Sequence, residues 1–262
     1  MSYHGQPVWF ELATAQGALA GAGGFYEGIL GWQVVDSGMD GFTYHLAKSG
    51  GDMVAGLMEM PPDVAEMPPF WMVYFAVDDA DAAAARIREL GGTIHREPAD
   101  IPGTGRFAIA ADPQGAGFGI LCPLPMDPPP PEGSGAWNQR KSGHGNWIEL
   151  STSDPALGFD FYAALLGWQK GEAMDMGEMC SYQLFRHKGT DIGGMMGLMD
   201  APAPAWLAYF GVDDLAATMA AIKAAGGSIV TGPHEVPGPA LIAVARDPQG
   251  AHFAVVGPKP EG

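Results

Sequence analysis

The sequence predicts an α+β protein made of two tandem copies of one unit, each copy holding two βαβββ modules. Three observations predict it. First, blocks of sequence recur in order. Phe25-Tyr26 through Leu30-Gly31-Trp32 returns as Phe161-Tyr162 through Leu166-Gly167-Trp168, and the block from Trp71 to Asp79, WMVYFAVDD, returns from Trp206 to Asp214 as WLAYFGVDD. The block Asp112-Pro-Gln-Gly-Ala116 returns unchanged from Asp247 to Ala251. The last two blocks share one offset, since 206 − 71 and 247 − 112 both give 135, and preserved spacing of this kind marks a duplicated structural unit. Second, alternating apolar runs give way to Ala-rich stretches and return, twice in each copy. Third, residues 123–143 hold Asp127, four prolines to Pro131 and then Gly133-Ser-Gly135, a composition that favours extended, poorly packed chain. The expected organisation is a first domain at 1–122, a linker at 123–143 and a second domain at 144–262.

Each element follows from local chemistry. Val8, Phe10 and Leu12 alternate with Trp9, Glu11 and Ala13, the period-two pattern of a half-buried strand. An Ala-rich helix then runs to Ile29-Leu30, with Gly31 placed where a helix ends on a left-handed residue. Short strands follow at 33–36, 42–47 and 53–58, separated by Gly and Asp turns. Pro61-Pro62 and Pro68-Pro69 divide the copy in two, as the Pro-containing stretch from Ala201 to Pro204 divides the other. The second module repeats the first: a strand at 72–77, a helix capped by Asp78 or Asp79 and stopped by Gly91-Gly92, and strands near 93–96, 106–110 and 117–121.

Composition excludes several function classes. The 262 residues are 47% hydrophobic and 16% charged, enough apolar material for a substantial core. A formal net charge of −17 and a pI near 4.5 repel nucleic acid and anionic membrane, whose phosphates require clustered Lys and Arg. The first ten residues lack a basic segment followed by an apolar run, and the chain has no uninterrupted apolar stretch of about 18 residues. A cytoplasmic protein, monomer or homodimer, with a small-molecule ligand and no nucleic-acid or membrane partner is expected. Cys122 and Cys180 fall in different halves, so they are read as small hydrophobes, not as a disulfide or a zinc site.

The ordered motifs carry a resemblance. A strand, a helix ending Phe-Tyr-x-x-x-Leu-Gly-Trp, an Asp-Asp-capped helix ending Gly-Gly, and Asp-Pro-x-Gly before a last strand, all occurring twice, resemble the vicinal-oxygen-chelate superfamily of glyoxalase I, bleomycin-resistance proteins and dioxygenases. The pattern around Glu11 and Glu149, Trp71-x-x-Tyr-Phe-x-Val-Asp-Asp and Gly105-Arg-Phe-Ala-Ile109 look most like the two-domain group that includes actinobacterial proteins labelled hydroxylases. The resemblance implies that paired modules form a curved mixed sheet around a cleft, with helices on the convex side.

It also implies where a metal would sit, because metal-dependent members draw His, Glu or Gln ligands from the first and last strands of each module. Carried over residue by residue, those positions fall at about Trp9, Gly56, Met72 and Gly119 in the first repeat and at Trp147, Gly197, Leu207 and Ala254 in the second. None is a ligand for a hard or borderline divalent ion, and Glu11 alone would not hold one. The expectation is a protein with no metal and no cofactor, the alternative being one divalent metal ion per site. The seven histidines include no pair at i, i+2 or i, i+4 ligand spacing.

Two other residue types point to chemistry. Glu11 and Glu149 interrupt apolar strands and alternate with Phe10 and Leu12, or Ile148 and Leu150, so they face the cleft. Tyr74 and Tyr209 hold the second inward position of the facing module's first strand. The expectation is that Glu11 with Tyr74, and Glu149 with Tyr209, form a carboxylate–phenol pair for ligand binding or general acid–base catalysis. A structural hydrogen bond between two buried polar groups is the other reading of the same pair. Trp9, Met72 and His45 in the first repeat, and Trp147, Gln183 and Leu207 in the second, are expected to line the ligand space, with Met58, Met195 and Met196 beside them. The function expected is binding of a small, partly aromatic metabolite, as a tailoring-type enzyme or a sequestering binder. A metal-dependent lyase, isomerase or dioxygenase of the glyoxalase class is the alternative.

Overall fold

The structure is a computed structural model that describes residues 3–39, 41–125, 131, 133–175 and 181–260. The first repeat runs β1 (Pro7–Thr14), α1 (Leu19–Leu30), β2 (Gln33–Asp36), β3 (Tyr44–Ser49), β4 (Asp52–Glu59), then β5 (Phe70–Ala76), α2 (Ala80–Glu89), β6 (Thr93–Ile101), β7 (Gly105–Ala111) and β8 (Gly117–Pro123). The second runs β9 (Gly145–Thr152), α3 (Pro155–Leu166), β10 (Gln169–Asp175), β11 (Ser181–His187), β12 (Thr190–Gly197), then β13 (Ala205–Gly211), α4 (Leu215–Ala224), β14 (Ser228–Val236), β15 (Ala240–Arg246) and β16 (His252–Pro258). This is the βαβββ pattern read from the sequence, four times over.

Helix ends obey the chemistry written into them. Gly31 and Gly167 close α1 and α3 at φ 65° and 73°, a left-handed conformation that costs glycine nothing. Asp79 and Asp214 cap α2 and α4 by accepting the backbone N–H of Ala82 and Ala217. Among the described residues no helix is long and apolar enough to cross a membrane.

The strands form two eight-stranded mixed sheets, ordered β2-β3-β4-β1-β5-β8-β7-β6 and β10-β11-β12-β9-β13-β16-β15-β14. Within a module the first and last strands pair in parallel, β1 with β4 and β5 with β8, while the hairpins pair antiparallel. The crossover helix makes the parallel pairing possible.

Packing divides the chain differently from the repeats. One compact unit comprises Met1–Val8, Val73–Glu132 and Ile148–Leu207, the other Trp9–Met72, Gly133–Trp147 and Ala208–Gly262, so each takes one module from each repeat. In the first unit Phe118 packs on Phe161 and Tyr162, and Phe75 on Trp168 and Trp206. The Tyr162 hydroxyl donates to Asp112 at 3.1 Å and accepts from Trp206 Nε1 at 2.9 Å. The second unit repeats this arrangement: Tyr26 donates to Asp247 at 3.1 Å and accepts from Trp71 Nε1 at 2.8 Å, beside Phe25 and Phe253. Gln114 and Gln249, from the same Asp-Pro-Gln-Gly turns, bind the backbone at Asp154 in one unit and at Ala15 and Ala18 in the other.

The stretch 123–143 differs from expectation where it is described. Residues 126–130 and 132 lie outside the described residues, but 133–143 are docked. Trp137 stacks on Phe10, Trp32 Nε1 donates to the Gly143 carbonyl at 2.7 Å, and Gly143 N–H donates to Gly211. Lys141 and the buried ring of His144 both meet Asp52. Composition shows only that such a stretch lacks helix and strand formers, whereas side chains elsewhere, Asp52 and Trp32, supply its partners.

Two expectations follow. Cutting the chain between 124 and 133 should leave the two halves associated through size-exclusion chromatography without denaturant, because each compact unit contains segments of both. Halves that separate freely would contradict the packing. Tyr162→Phe should lower stability by about 1–3 kcal/mol in chemical denaturation, because it leaves the Trp206 N–H and the Asp112 carboxylate each one buried partner short.

Candidate functional site

The site residues are best described within each compact unit. In the second unit the parallel register of β1 and β4 places Glu11 opposite Gly56, and the antiparallel register of β3 and β4 places Leu46 opposite the same glycine. Tyr44, two residues from Leu46, reaches diagonally across β4. Its hydroxyl donates to Glu11 Oε2 at 2.8 Å and accepts from Trp9 Nε1 at 2.9 Å. Only glycine permits that path, since a Cβ at residue 56 would lie 1.8 Å from the Tyr44 hydroxyl oxygen.

The first unit builds the same device from the other repeat. Glu149 pairs in register with Gly194, the Tyr182 hydroxyl donates to Glu149 Oε2 at 2.9 Å, and a Cβ at residue 194 would lie 2.1 Å from the Tyr182 ring. The differences 182 − 44, 149 − 11 and 194 − 56 are all 138, so glutamate, tyrosine and glycine are equivalent in the two repeats. The first-strand positions therefore correspond directly, and the two-residue difference in the distance from each glutamate to its Phe-Tyr pair lies between the strand and its helix.

Electrostatics fixes the proton on the phenol. Burial, followed by the adjacent charge of Glu11, raises the Tyr44 pKa far above the usual phenol value, so its hydroxyl remains a donor to the carboxylate.

The other expected residues fall as follows. Tyr74 is buried on β5 in register with Gly119, and its ring lies over that glycine, 2.1 Å from where a Cβ would be. Tyr209 is buried on β13 opposite Ala254. Met72 and Leu207, two residues earlier on the same faces, are half-buried, as are Trp9 and Trp147.

His45 and Gln183 do not share the glutamates' face. His45 pairs with Leu57, the fully buried partner of Leu12, on the face opposite Glu11. Gln183 pairs with Met195, and its amide donates to the backbone carbonyls of Gly171 and Leu184. Strand alternation is the reason: Tyr44 and Tyr182 face the carboxylates, so the next residue in each strand faces away. Met195, beside Leu150 and fully buried, belongs to the core as well. The counterpart of Gly56 is Gly194, not Gly197, because each of the two glycines stands in register with the glutamate of its own repeat. Tyr44 and Tyr182 are the residues that counting from helix motifs missed. Their signal in the sequence is the Tyr at one fixed offset, paired with Glu and Gly at that same offset.

The residues do not fit the divalent metal of the fold. Gly56 and Gly119 offer no side-chain donor, and the space that a ligand side chain would take there is filled by the Tyr44 and Tyr74 rings. Among the described residues no group of three or more His, Cys, Asp or Glu is placed to hold a metal ion.

Paired βαβββ modules, with a glutamate on the first strand of each repeat, define a tandem chelate-type fold. Residues 15–120 and 145–255 both match the Glyoxalase/Bleomycin resistance protein/Dioxygenase superfamily, and the chain belongs to that family. It is 34% identical over 264 residues to CFP32 of Mycobacterium tuberculosis (strain CDC 1551 / Oshkosh), which carries a glyoxylase label, covering 98% of this chain and 96% of that one. It is 32% identical over 269 residues to the anthracycline biosynthesis protein DnrV of Streptomyces peucetius, covering 96% and 93%. Among solved structures, the Mn(II)-bound glyoxalase from Novosphingobium aromaticivorans superposes with a TM-score of 0.66 at 15% identity, covering 98% of this chain and 83% of that one. The 2,3-dioxygenase LapB from Pseudomonas sp. KL28 superposes with a TM-score of 0.68 at 15% identity, covering 100% and 95%. These two likenesses establish the fold.

Gly56→Ala should displace Tyr44 and break its bond to Glu11, at a cost of about 1–3 kcal/mol for overpacking. Alkaline ultraviolet titration reads the same event, because the freed phenol should ionise closer to pH 10 than in the parent protein. The raised phenol contributes stability in full below about pH 10 and loses it as pH climbs past that unfolded-state value. The variant's stability should therefore depend less on alkaline pH, and an unchanged titration would contradict the geometry.

Proposed function

We propose that the chain binds a small, partly aromatic organic molecule against Glu11 in the first repeat and Glu149 in the second, without a divalent metal. The observation that carries this is the pair of bonds from Tyr44 to Glu11 and from Tyr182 to Glu149, each made possible by a glycine, Gly56 or Gly194, on the strand between them. The tyrosine fixes the carboxylate's orientation, so the glutamate is held ready to accept an O–H or N–H from a ligand, or its proton. Trp9 and Met72 are proposed as the apolar lining beside Glu11, and Leu207 as that beside Glu149.

A tailoring-type enzyme and a sequestering binder share this binding step. The name of DnrV, from anthracycline biosynthesis, supports an organic ligand. A net charge of −17 supports a small-molecule partner over a polynucleotide, and the setting proposed is the cytoplasm, as a monomer or homodimer. The second reading, a metal-dependent lyase, isomerase or dioxygenase, draws on the Mn(II)-bound glyoxalase and the 2,3-dioxygenase among the fold neighbours. It requires donors that Gly56 and Gly119 do not supply.

Metal analysis of the purified protein separates the two readings. Substoichiometric zinc, manganese, iron and nickel are expected, with ligand binding unaffected by chelation. One tightly held ion per site, lost together with binding, would overturn the proposal. Glu11→Gln and Glu149→Gln keep shape and an acceptor for the tyrosine while removing charge. Each should fold normally and weaken ligand affinity at its own site by about 1.5–3 kcal/mol, roughly ten- to hundredfold, in calorimetry.

A further inference from the structure

The turn after β3 and the segment before β9 enclose a polar cavity that neither glutamate lines. It measures about 360 Å³ and is bounded by Ser49, Asp52, Arg140, Lys141, His144 and Asp213, all within one compact unit. Its inner part is an ion cluster. Asp52 accepts from Lys141 Nζ at 3.1 Å and faces His144 Nε2 at 3.2 Å, while Nδ1 of the same buried ring meets the Ser142 carbonyl at 2.9 Å. These charges are not what docks the segment. The other repeat makes the same dock, with Gly5 bonded to Trp168 Nε1 and Ala76 as Gly143 is bonded to Trp32 Nε1 and Gly211. In that copy the positions that correspond at an offset of 138 to Asp52, Arg140, Lys141 and His144 hold Thr190, Ser2, Tyr3 and Gln6. A dock that forms without the four charged side chains leaves them unexplained by folding.

Two opposite charges on this cavity have no ionic partner in the protein. Six of the seven arginines bond a carboxylate or an imidazole or lie over an aromatic ring, and Arg140 is the exception among the described residues. Asp213 accepts the Ser142 hydroxyl and meets no cation among the described residues. The two do not pair with each other. A simple anion drawn to Arg140 would meet the charge of Asp213, and a simple cation drawn to Asp213 would meet Arg140. A molecule that carries both charges satisfies both residues at once through charge-assisted bonds.

We propose that this cavity binds a small zwitterion of the free α-amino-acid class, with its carboxylate on Arg140 and its ammonium on Asp213, one molecule per chain. The site is separate from the reading of Glu11 and Glu149 given above and stands or falls without it.

The test is an NMR titration of the full chain with L-glutamine, read on backbone amides. The expected result is one saturable curve shared by residues 49–52 and 140–144. N-acetyl-L-glutamine, which lacks the ammonium, and L-glutamine amide, which lacks the carboxylate, should each bind about five- to tenfold more weakly, the scale of one exposed charge-assisted bond. Arg140→Gln should erase the difference between L-glutamine and its amide, and Asp213→Asn the difference between L-glutamine and its N-acetyl form. Both residues are exposed, so both variants should fold like the parent. No saturable binding, equal binding of all three compounds, or shifts that gather around Glu11 or Glu149 instead would overturn the proposal. Inorganic phosphate displacing L-glutamine equally well from the parent and from Asp213→Asn would show a simple anion site and overturn it too.

Discussion

Asp112 and Asp247 are carboxylates buried to 3% and 4% exposure, and the packing of the chain depends on how their burial is compensated. In each, one oxygen accepts two backbone N–H groups of its own Asp-Pro-Gln-Gly turn, Gln114 and Ala116 or Gln249 and Ala251. The other accepts the hydroxyl of a tyrosine from the other repeat. Burial still pushes both carboxyl groups up, so the bonds offset only part of the desolvation cost. A group in that position is tolerable only while all its partners stay in place. The turn therefore fixes the helix of one repeat against the last strands of the other. The tyrosine's second bond, from Trp206 or Trp71, ties the first strand of the following module to the same point.

This coupling bears on function because it sets where rigidity lies. The glutamates sit on β1 and β9, strands whose buried neighbours Phe10, Leu12, Ile148 and Leu150 pack away from the carboxylates. With one face of the strand locked, the other can carry a polar group without losing register, since a one-residue slip would bury the carboxylate and expose Phe10. Tyr44 and Tyr182 then hold the glutamate rotamer. Strand, glycine and phenol form a positioning device that needs no metal to hold a carboxylate in one orientation.

Much of this was legible in the sequence, and the parts that were not share a cause. The four modules follow from periodicity, Gly stops and Asp caps, which are local signals. The inward glutamates follow from alternation along one strand, also local. The partner of each glutamate is not local. Tyr44 reaches Glu11 across an intervening strand, so naming it requires the lateral order of strands and the register of two ladders, neither of which alternation within a strand supplies. The same gap placed His45 and Gln183 on the wrong face by one residue. It also hid the docking of 133–143, whose composition reads as linker while Trp32, Asp52 and Phe10 supply its partners.

The glycines show what residue-by-residue transfer from a fold family leaves out. Gly56 at a ligand position reads, from sequence, as the loss of a donor. In the structure it is also a gain, because the missing side chain opens the only route by which the Tyr44 hydroxyl can reach Glu11. Restoring a ligand side chain at that position would not recreate a metal site by itself. It would collide with the phenol, strip Glu11 of its oriented donor and leave the carboxylate to find another partner. Glycine at residue 56 and capture of the carboxylate by tyrosine are thus one physical arrangement, and any larger side chain there must displace the phenol before it can approach Glu11.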